Sequence, residues 1–253
     1  MGDGLPATVR RAGWDGNAYD TVSTPQFDAG TRIVRRIDVP AGAVIVDAGC
    51  GSGRVTELVL DAHPDATVVA IDASASMLAA AERRLSRHAG RLELIHADLA
   101  ERWPLQRPVD AVDSTNTFDW ILDHDKLFTA AYEALSPGGQ LAAVAGGSGS
   151  LQSVRDAARC VGVLADGVNN YADAEPTAER LRAAGFVDVR CWLEDEPVRF
   201  RTRDALAEYL AKAALASYER GAELASQVAE DLVEPVADFV RLNIVARRPT
   251  EHT

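Results

Sequence analysis

The sequence predicts an α/β fold: a doubly wound, Rossmann-like sheet of seven strands, mostly parallel with the last strand antiparallel, plus a helical lid. Apolar, strand-like runs alternate with helical patterns as far as residue 145. This order requires parallel pairing through right-handed crossovers. A glycine-rich turn follows the first run, and each of the first three runs ends in an aspartate. Beyond residue 145 the chain is mostly helical, with two further strands.

The predicted elements can be given by their bounds. Strands are expected at 43–47, 67–72, 92–98, 109–114, 140–145, 187–193 and 238–248. Helices are expected at 28–37, 54–63, 74–88 and 126–136, within 151–182, and as a pair within 202–234 whose first member carries Tyr209 and Tyr218. We expect one domain over 1–253, with an N-terminal arm (1–40), a core (41–150) and lid segments (151–182 and 202–234).

Composition excludes several classes of partner. The chain has 253 residues, 47% of them hydrophobic, so it can bury a core without disulfides. Its net charge of −12 argues against a nucleic-acid partner. No apolar run approaches a membrane span, and no signal-peptide pattern is present. Cys50, Cys160 and Cys191 are widely spaced, as in a reduced cytoplasmic protein. We therefore expect a small-molecule partner, no membrane and no metal.

The glycine-rich turn is the most informative stretch. Residues 43–54 place Gly49, Gly51 and Gly53 at alternate positions after a strand. The dinucleotide fingerprint needs its third glycine three residues after the second, whereas here the interval is two. Asp47 would also repel a pyrophosphate, and it would suit a cofactor with a cationic amino-acid end. A purely structural glycine turn is the alternative.

The ends of the next strands carry further candidates. Asp72 follows Gly49 by 23 positions and ends the second strand, beside the turn in a doubly wound sheet. Its carboxylate can accept both hydrogen bonds from a ribose diol, or it can cap the helix that follows. Met77, in the first turn of that helix, could contact an adenine.

These motifs resemble those of the class I S-adenosylmethionine-dependent methyltransferases over about residues 14–248. The turn fits the pattern D/E-x-G-x-G-x-G, and Trp14, Asp15 and Tyr19 resemble an arm that folds over the cofactor's methionine end. A packing cap is the alternative for that arm. The resemblance makes Ala97-Asp98-Leu99 an adenine clamp, in which Asp98 accepts from the exocyclic amine.

The implied cofactor is S-adenosyl-L-methionine, with S-adenosyl-L-homocysteine as product. The residues expected to bind it, from the motifs and the resemblance together, are Trp14, Tyr19, Gln26, Asp47, Gly49, Cys50, Gly51, Gly53, Asp72, Ala73, Met77, Ala97, Asp98, Leu99 and Ser114.

Within that superfamily the chain is most similar to the trans-aconitate methyltransferase group. The similarity lies in residues 120–125, 127–128, 134–139 and 146–149. Asp119 departs from the group, which usually has His or Gln before the tryptophan. Thr115 occupies the usual asparagine position, with Asn116 one residue later. A carboxylate substrate would meet a like charge at Asp119. This argues against trans-aconitate itself and leaves a hydroxyl, phenol or amine acceptor, or a protonated Asp119.

The acceptor is expected to meet the segment after the fourth strand. The predicted substrate-binding residues are Tyr19, Thr115, Asn116, Asp119 and Trp120. Methyl transfer mainly requires alignment, which can supply about 7–11 kcal/mol, and it needs a base only for a protonated acceptor. Asp119 and then His124 are the candidate catalytic residues. Tyr19 is a third possible base, and Tyr171, Tyr209 and Arg199 could reach in from the lid.

The leading expectation is a methyltransferase that acts on a small molecule, by O-methylation of a carboxylate or hydroxyl. Two alternatives stay open: a C- or N-methyltransferase of secondary metabolism, and a non-catalytic protein that binds the cofactor. The glycine spacing disfavours a nicotinamide oxidoreductase.

Overall fold

Seven strands form a single sheet in the part of the chain that the computed structural model describes, residues 16–163, 168–216, 218 and 220–250. In chain order they are β1 (Val44–Ala48), β2 (Thr67–Asp72), β3 (Leu92–His96), β4 (Val109–Thr115), β5 (Leu135–Gly146), β6 (Val187–Arg199) and β7 (Val236–Arg247). The sheet order is β3-β2-β1-β4-β5-β7-β6. Strand β7 pairs antiparallel with both neighbours, and the other pairs are parallel. The predicted fold class is confirmed.

The helices follow the same alternation. They are α1 (Gly16–Asp20), α2 (Thr24–Val34), α3 (Arg54–Ala62), α4 (Ala75–Arg84), α5 (His124–Ala134), α6 (Gln152–Cys160), α7 (Ala174–Ala183), α8 (Arg203–Tyr209) and α9 (Gly221–Asp231). Within the described ranges, no helix is long and apolar enough to cross a membrane, and no group of three or more acidic, His or Cys side chains is placed to hold a metal ion.

Local sequence preferences and capping explain why α2 and α5 begin at residues other than those predicted. Helix α2 begins earlier than predicted, at Thr24, because Pro25 is favourable in the first helical turn. Helix α5 begins at His124 because the side chain of Asp123 accepts from the Lys126 amide at 3.0 Å. The prediction that Tyr218 lies on the first helix of 202–234 is wrong, since this residue lies between α8 and α9.

Both faces of the sheet are covered by apolar side chains. On one face Ile45 packs in a cluster with Val59 and Leu60 of α3. On the other face Val46 packs in a cluster with Leu127 of α5 and Leu181 of α7. Successive strand residues point to opposite faces. The unbroken apolar run of β1 therefore fits a strand buried on both sides.

A separate apolar cluster joins the helices that follow the core. It brings together α6, α8 and α9, and Phe239 of β7 packs in it. Tyr19 and Val22 of the N-terminal arm lie against this cluster. The arm and these helices thus share one packing unit, and their role as a lid stays a prediction.

Two buried carboxyl groups lie side by side in the sheet. Asp47 and Asp113 are register partners on β1 and β4, and they are 1% and 0% exposed. The Thr56 hydroxyl donates to Asp47 at 2.6 Å, whereas neither oxygen of Asp113 has a hydrogen-bond partner among the described residues. Burial raises the pKa of Asp47 to about 7. Burial, and then the nearby Asp47 carboxylate, raise the pKa of Asp113 well above its usual value.

Because of these two buried carboxyl groups, we expect the protein to become less stable as the pH rises. The free energy of unfolding should fall as the pH rises from about 4 to about 7, because the folded chain binds more protons than the unfolded chain. Asp113→Asn cannot ionise. It should flatten this slope and be more stable than the wild type at pH 8 by about 1–3 kcal/mol.

Urea unfolding at pH 5 and pH 8 measures this difference. Glu93→Gln, at an exposed position on β3, is the control and should leave the slope unchanged. An Asp113→Asn variant with the full wild-type slope would contradict the assignment.

Candidate active site

The turn between β1 and α3 depends on left-handed glycines. Gly49, Gly51 and Gly53 have φ values of +85°, +54° and +83°. The amides of Gly49 and Cys50 donate to the Ile71 carbonyl at 2.8 and 3.0 Å, which folds the turn against β2. A Cβ on Gly49 would lie 2.1 Å from the Thr117 hydroxyl, whereas a Cβ on Gly51 would meet nothing within 4 Å. Gly49 is therefore required by the protein itself, and Gly51 borders open space that a ligand could occupy.

Asp72 connects this turn to the end of β2. One carboxylate oxygen accepts from the Gly51 amide at 2.9 Å, and the other accepts from the Ser74 amide at 2.8 Å. Burial raises the pKa of Asp72, and the two backbone hydrogen bonds oppose that rise. A carboxylate offers about four lone-pair sites, so two remain. The half-buried side chain can cap the local backbone and still accept from a ribose diol.

The residues predicted to bind the adenine directly follow β3, the strand next to β2. The Ala97 amide donates to the Asp72 carbonyl at 3.2 Å, so Asp98 follows directly beside the Asp72 position. Asp98 is exposed, and one of its oxygens accepts from the Ala100 amide at 2.9 Å. Leu99 is buried and Ala73 is exposed. Asp72 and Asp98 therefore lie at the same edge of the sheet, as predicted.

Four of the residues predicted to bind the cofactor are packed against, or hydrogen-bonded to, other residues of the protein. Asp47 is enclosed beneath the turn against Thr56 of α3. The Cys50 thiol is buried against Ala70 and Leu78, and burial raises its pKa. The Ser114 hydroxyl donates to the Ala48 carbonyl at 2.6 Å. Met77 is buried on α4, and its sulfur faces Gly16 of α1. These four side chains are held by other parts of the protein, and their direct contact with a cofactor stays a prediction.

The N-terminal arm is attached to the turn by polar contacts. Asp20 accepts a hydrogen bond from the Ser52 hydroxyl and forms an ion pair with Arg84. Arg54, at the start of α3, donates to the Ser23 hydroxyl at 2.8 Å. The sequence analysis missed these contacts, because isolated arginines on helices usually face solvent. Trp14, predicted to act with Tyr19, lies outside the described residues.

Asp119 lies buried beside the C-terminal end of β5. It is 6% exposed, and one oxygen accepts from the Gly146 amide at 3.2 Å. Its carbonyl accepts from the Asn170 amide at 2.7 Å. Burial raises the pKa of Asp119 to about 6, although the Gly146 amide and the nearby Arg241 act against that rise. A carboxylate with this pKa is mostly ionised at neutral pH and can still take up a proton, as a general base must.

Four tyrosine side chains lie within electrostatic reach of this carboxylate. Burial raises the pKa of each, and the negative charge of Asp119 adds to the rise in all four: Tyr19, Tyr171, Tyr209 and Tyr218. The Tyr171 ring lies 2.5 Å from the position of a Cβ on Gly146, and an Asp119 oxygen lies 3.3 Å from the same point. We call these residues with Asp119 the tyrosine cluster. Three of the tyrosines stay half-buried rather than fully buried, so they border accessible space.

A buried arginine that the sequence analysis did not single out lies next to this cluster. Arg241 of β7 is 1% exposed. Its Nε donates to Glu196 at 2.8 Å and its Nη1 donates to Asn116 Oδ1 at 2.6 Å. Its guanidinium also stacks on Phe239, 4.1 Å from the ring centroid. Arg241 stands between the alternating apolar residues of the last strand, where a solvent-facing charge is expected, so the pattern carries no signal of its burial.

Several predicted acceptor residues have other roles. Asn116, with φ of +54°, holds Arg241 rather than facing open space. His124 is buried, its Nε2 lies 2.9 Å from the Phe118 carbonyl, and burial lowers its pKa. His124 thus packs at the start of α5, which corrects its assignment as a base. Arg199 is exposed and pairs with Glu234.

Gln26 and Trp120 lie close to the tyrosine cluster, and Thr115 is the last residue of β4. The Thr115 hydroxyl is buried without a partner among the described residues, as is the side-chain oxygen of Gln26. Gln26 Nε2 lies 2.7 Å from the Tyr209 hydroxyl. Trp120 is half-buried directly after Asp119, and its role in substrate binding stays a prediction.

Comparison with known proteins agrees with this geometry. Residues 45–139 match the family described as "Methyltransferase domain". The resemblance to the S-adenosylmethionine-dependent methyltransferases is confirmed, and the fold is that of the Rossmann-like methyltransferases.

The particular relatives are consistent with the narrower group. Trans-aconitate 2-methyltransferase of Variovorax paradoxus (strain S110) is 34% identical over 129 residues, 51% of this chain and 48% of that protein. The same-named protein of Azoarcus sp. (strain BH72) is 33% identical over 129 residues, 51% of this chain and 49% of its own. The chain therefore spans about half the length of the curated relatives it matches.

Solved structures show the same fold at lower identity. Phosphoethanolamine N-methyltransferase 2 of Haemonchus contortus, in complex with S-adenosyl-L-methionine, has a TM-score of 0.62 and 22% identity, covering 93% of this chain and 57% of that one. The [4+2]-cyclase SpnF has a TM-score of 0.62 and 20% identity, covering 89% of this chain and 82% of that one. At these identities the likeness concerns the fold alone.

The contrast between two glycines gives a test of the turn. Gly49→Ala combines a left-handed alanine with a clash against Thr117, so it should lower the free energy of unfolding by about 2–5 kcal/mol. Gly51→Ala has the same backbone problem without the clash and should lose only about 1–2 kcal/mol. Denaturant unfolding measures both. Adding Thr117→Ala should recover part of the loss for Gly49→Ala only, and equal losses at the two positions would contradict this geometry.

Proposed function

We propose that this chain is an S-adenosylmethionine-dependent methyltransferase that acts on a small-molecule acceptor. The observation that carries the proposal is the hydrogen bond between the Gly51 amide and Asp72, beside open space. The glycine leaves open space above the turn, and the carboxylate that binds its amide keeps lone pairs for a ribose diol. Asp98, at the same sheet edge, would serve the adenine. The family match and the named relatives support this assignment.

Different residues of the chain would bind the cofactor, hold the acceptor and remove its proton. The bound cofactor would supply a methyl group activated by positively charged sulfur. The glycine turn, Asp72 and Asp98 would orient it, and the enclosed tyrosine cluster would exclude water and hold the acceptor. Asp119 would remove a proton from the acceptor where one must leave. Three cysteines are free among the described residues, which supports a cytoplasmic location.

The relatives support the identity of the methyl donor more strongly than that of the acceptor. Tyr19, Tyr171, Tyr209 and Arg241 all lie outside the family match of residues 45–139. The SpnF structure also has this fold under the name of a cyclase, so the fold alone does not define the reaction. O-methylation of a trans-aconitate-like acid is therefore not carried over.

Calorimetry with S-adenosylhomocysteine and with NAD tests the donor site. We expect binding of the former and none of the latter. Asp72→Ala and Asp98→Ala should each weaken S-adenosylhomocysteine binding by about 1–3 kcal/mol, through lost hydrogen bonds. Glu93→Ala on β3 is the matched control and should bind normally. Circular dichroism confirms folding in each case, and binding of NAD but not of S-adenosylhomocysteine would refute the proposal.

The pH profile tests the role of Asp119. With the best acceptor from a panel of acids, phenols, alcohols and amines, kcat/KM should rise as the pH increases through about 6, where the carboxylate ionises. Asp119→Asn should remove this limb and lower kcat by about 10²–10⁴-fold, while S-adenosylhomocysteine affinity stays nearly unchanged. A variant that keeps wild-type turnover and pH dependence would exclude Asp119 as the base.

A further inference from the structure

We propose that the group methylated is an amine, bound as an ammonium by Asp119 and the oxygen atoms around it. The inference rests on the proposed function and specifies its acceptor. It is carried by the side-chain chemistry of the tyrosine cluster, in which oxygen atoms able to accept hydrogen bonds lie near one carboxylate.

The cluster presents oxygen atoms with spare capacity to accept. The Tyr218 hydroxyl donates to Asn169 Oδ1 at 2.5 Å, so the lone pairs of its oxygen remain available. Gln26 uses its amide nitrogen on Tyr209, and its Oε1 is buried without a partner among the described residues. Asp119 receives one backbone hydrogen bond at 3.2 Å. An ammonium is a donor with no acceptor atom, so it is the complement of such a site.

Arg241, the buried cation next to the cluster, is already occupied by other partners. Arg241 already donates to Glu196 and Asn116, and its Nη2 lies 3.4 Å from the Pro25 carbonyl. Its partner Glu196 also binds Arg32 through both oxygens at 2.7 and 2.8 Å, so Arg241 is held within this network. A carboxylate entering the cluster would meet the like charge of Asp119, which is costly in a buried site.

Arg155 is the other cation that faces the cluster. Its guanidinium lies 5.0 Å from the Tyr171 ring centroid, and it donates to Gln152 at 2.7 Å. Its Nε is buried without a partner among the described residues. An amine that carries an acid group at its far end would satisfy both Asp119 and Arg155, so amino acids belong in the test panel beside simple amines.

The reaction balances with the groups present. Asp119 accepts one proton from the ammonium, which frees the nitrogen lone pair. The nitrogen then forms a bond to the methyl carbon as the carbon–sulfur bond breaks, and that electron pair stays on sulfur, which becomes neutral. The nitrogen acquires the positive charge as a methylated ammonium. The proton on Asp119 passes to solvent when the product leaves.

The test uses the whole chain and acceptors that differ at one group. Phenylethylamine, phenylethanol and phenylpropionate share a skeleton, and phenylalanine adds the acid end. Release of S-adenosylhomocysteine and the product mass are measured for each. We expect an amine of the panel to be methylated at least ~10-fold faster than its matched alcohol or acid, and Asp119→Asn to lower kcat/KM for that amine by ~100-fold or more.

Two variants make the role of the cluster specific. Tyr218→Phe removes one oxygen acceptor and should raise KM for the amine several-fold, with kcat largely retained. Glu234→Gln, an exposed residue paired with Arg199, should change neither. Methylation of the alcohol or the acid in preference to every amine, or no methylation of any amine, would overturn the inference. Failure to bind S-adenosylhomocysteine would instead refute the proposed function, so the two failures are distinguishable.

Discussion

The ion pairs of one buried guanidinium are the interaction on which the proposed acceptor half of the site depends. Arg241 of β7 reaches the Pro25 carbonyl of α2, Asn116 after β4 and Glu196 of β6. Glu196 in turn binds Arg32 of α2. Four elements from distant parts of the chain therefore meet at one ion-pair network. A buried charge without partners is strongly destabilising, so these elements are held in one arrangement.

The same rule explains the different carboxyl groups in the interior. Glu196 is compensated by two arginines, and the hydrogen bonds from Arg32 and Arg241 outweigh the effect of burial and lower its pKa. Asp113 has no such partner among the described residues, and burial raises its pKa. Asp119 lies between these extremes, with one amide and a nearby Arg241. The surroundings therefore suit Glu196 to a structural ion pair, Asp113 to a neutral state and Asp119 to proton transfer.

The sequence indicates the residues of the proposed donor half far more clearly than those of the proposed acceptor half. The turn at Gly49–Gly53, Asp72 and Asp98 are all local signals, because each stands at the end of a strand that a regular α/β order places at one sheet edge. The acceptor half is assembled from Tyr19, Tyr171 and Arg241, which are separated by more than 200 positions from first to last. No short pattern links them, since tertiary packing alone brings them together. His124 was misassigned because a histidine near a predicted crevice can equally pack at a helix start, as it does here.

The attachment of the arm couples the two halves. Asp20 contacts the glycine turn through Ser52, and the preceding residue, Tyr19, belongs to the tyrosine cluster. A ligand that contacts the arm in one half would also favour the arm position that the other half uses. Donor and acceptor should therefore bind with positive cooperativity, and linkage requires that each enhance the affinity of the other by the same factor. The short helix α1 would thus be the thermodynamic connection between the proposed donor and acceptor sites.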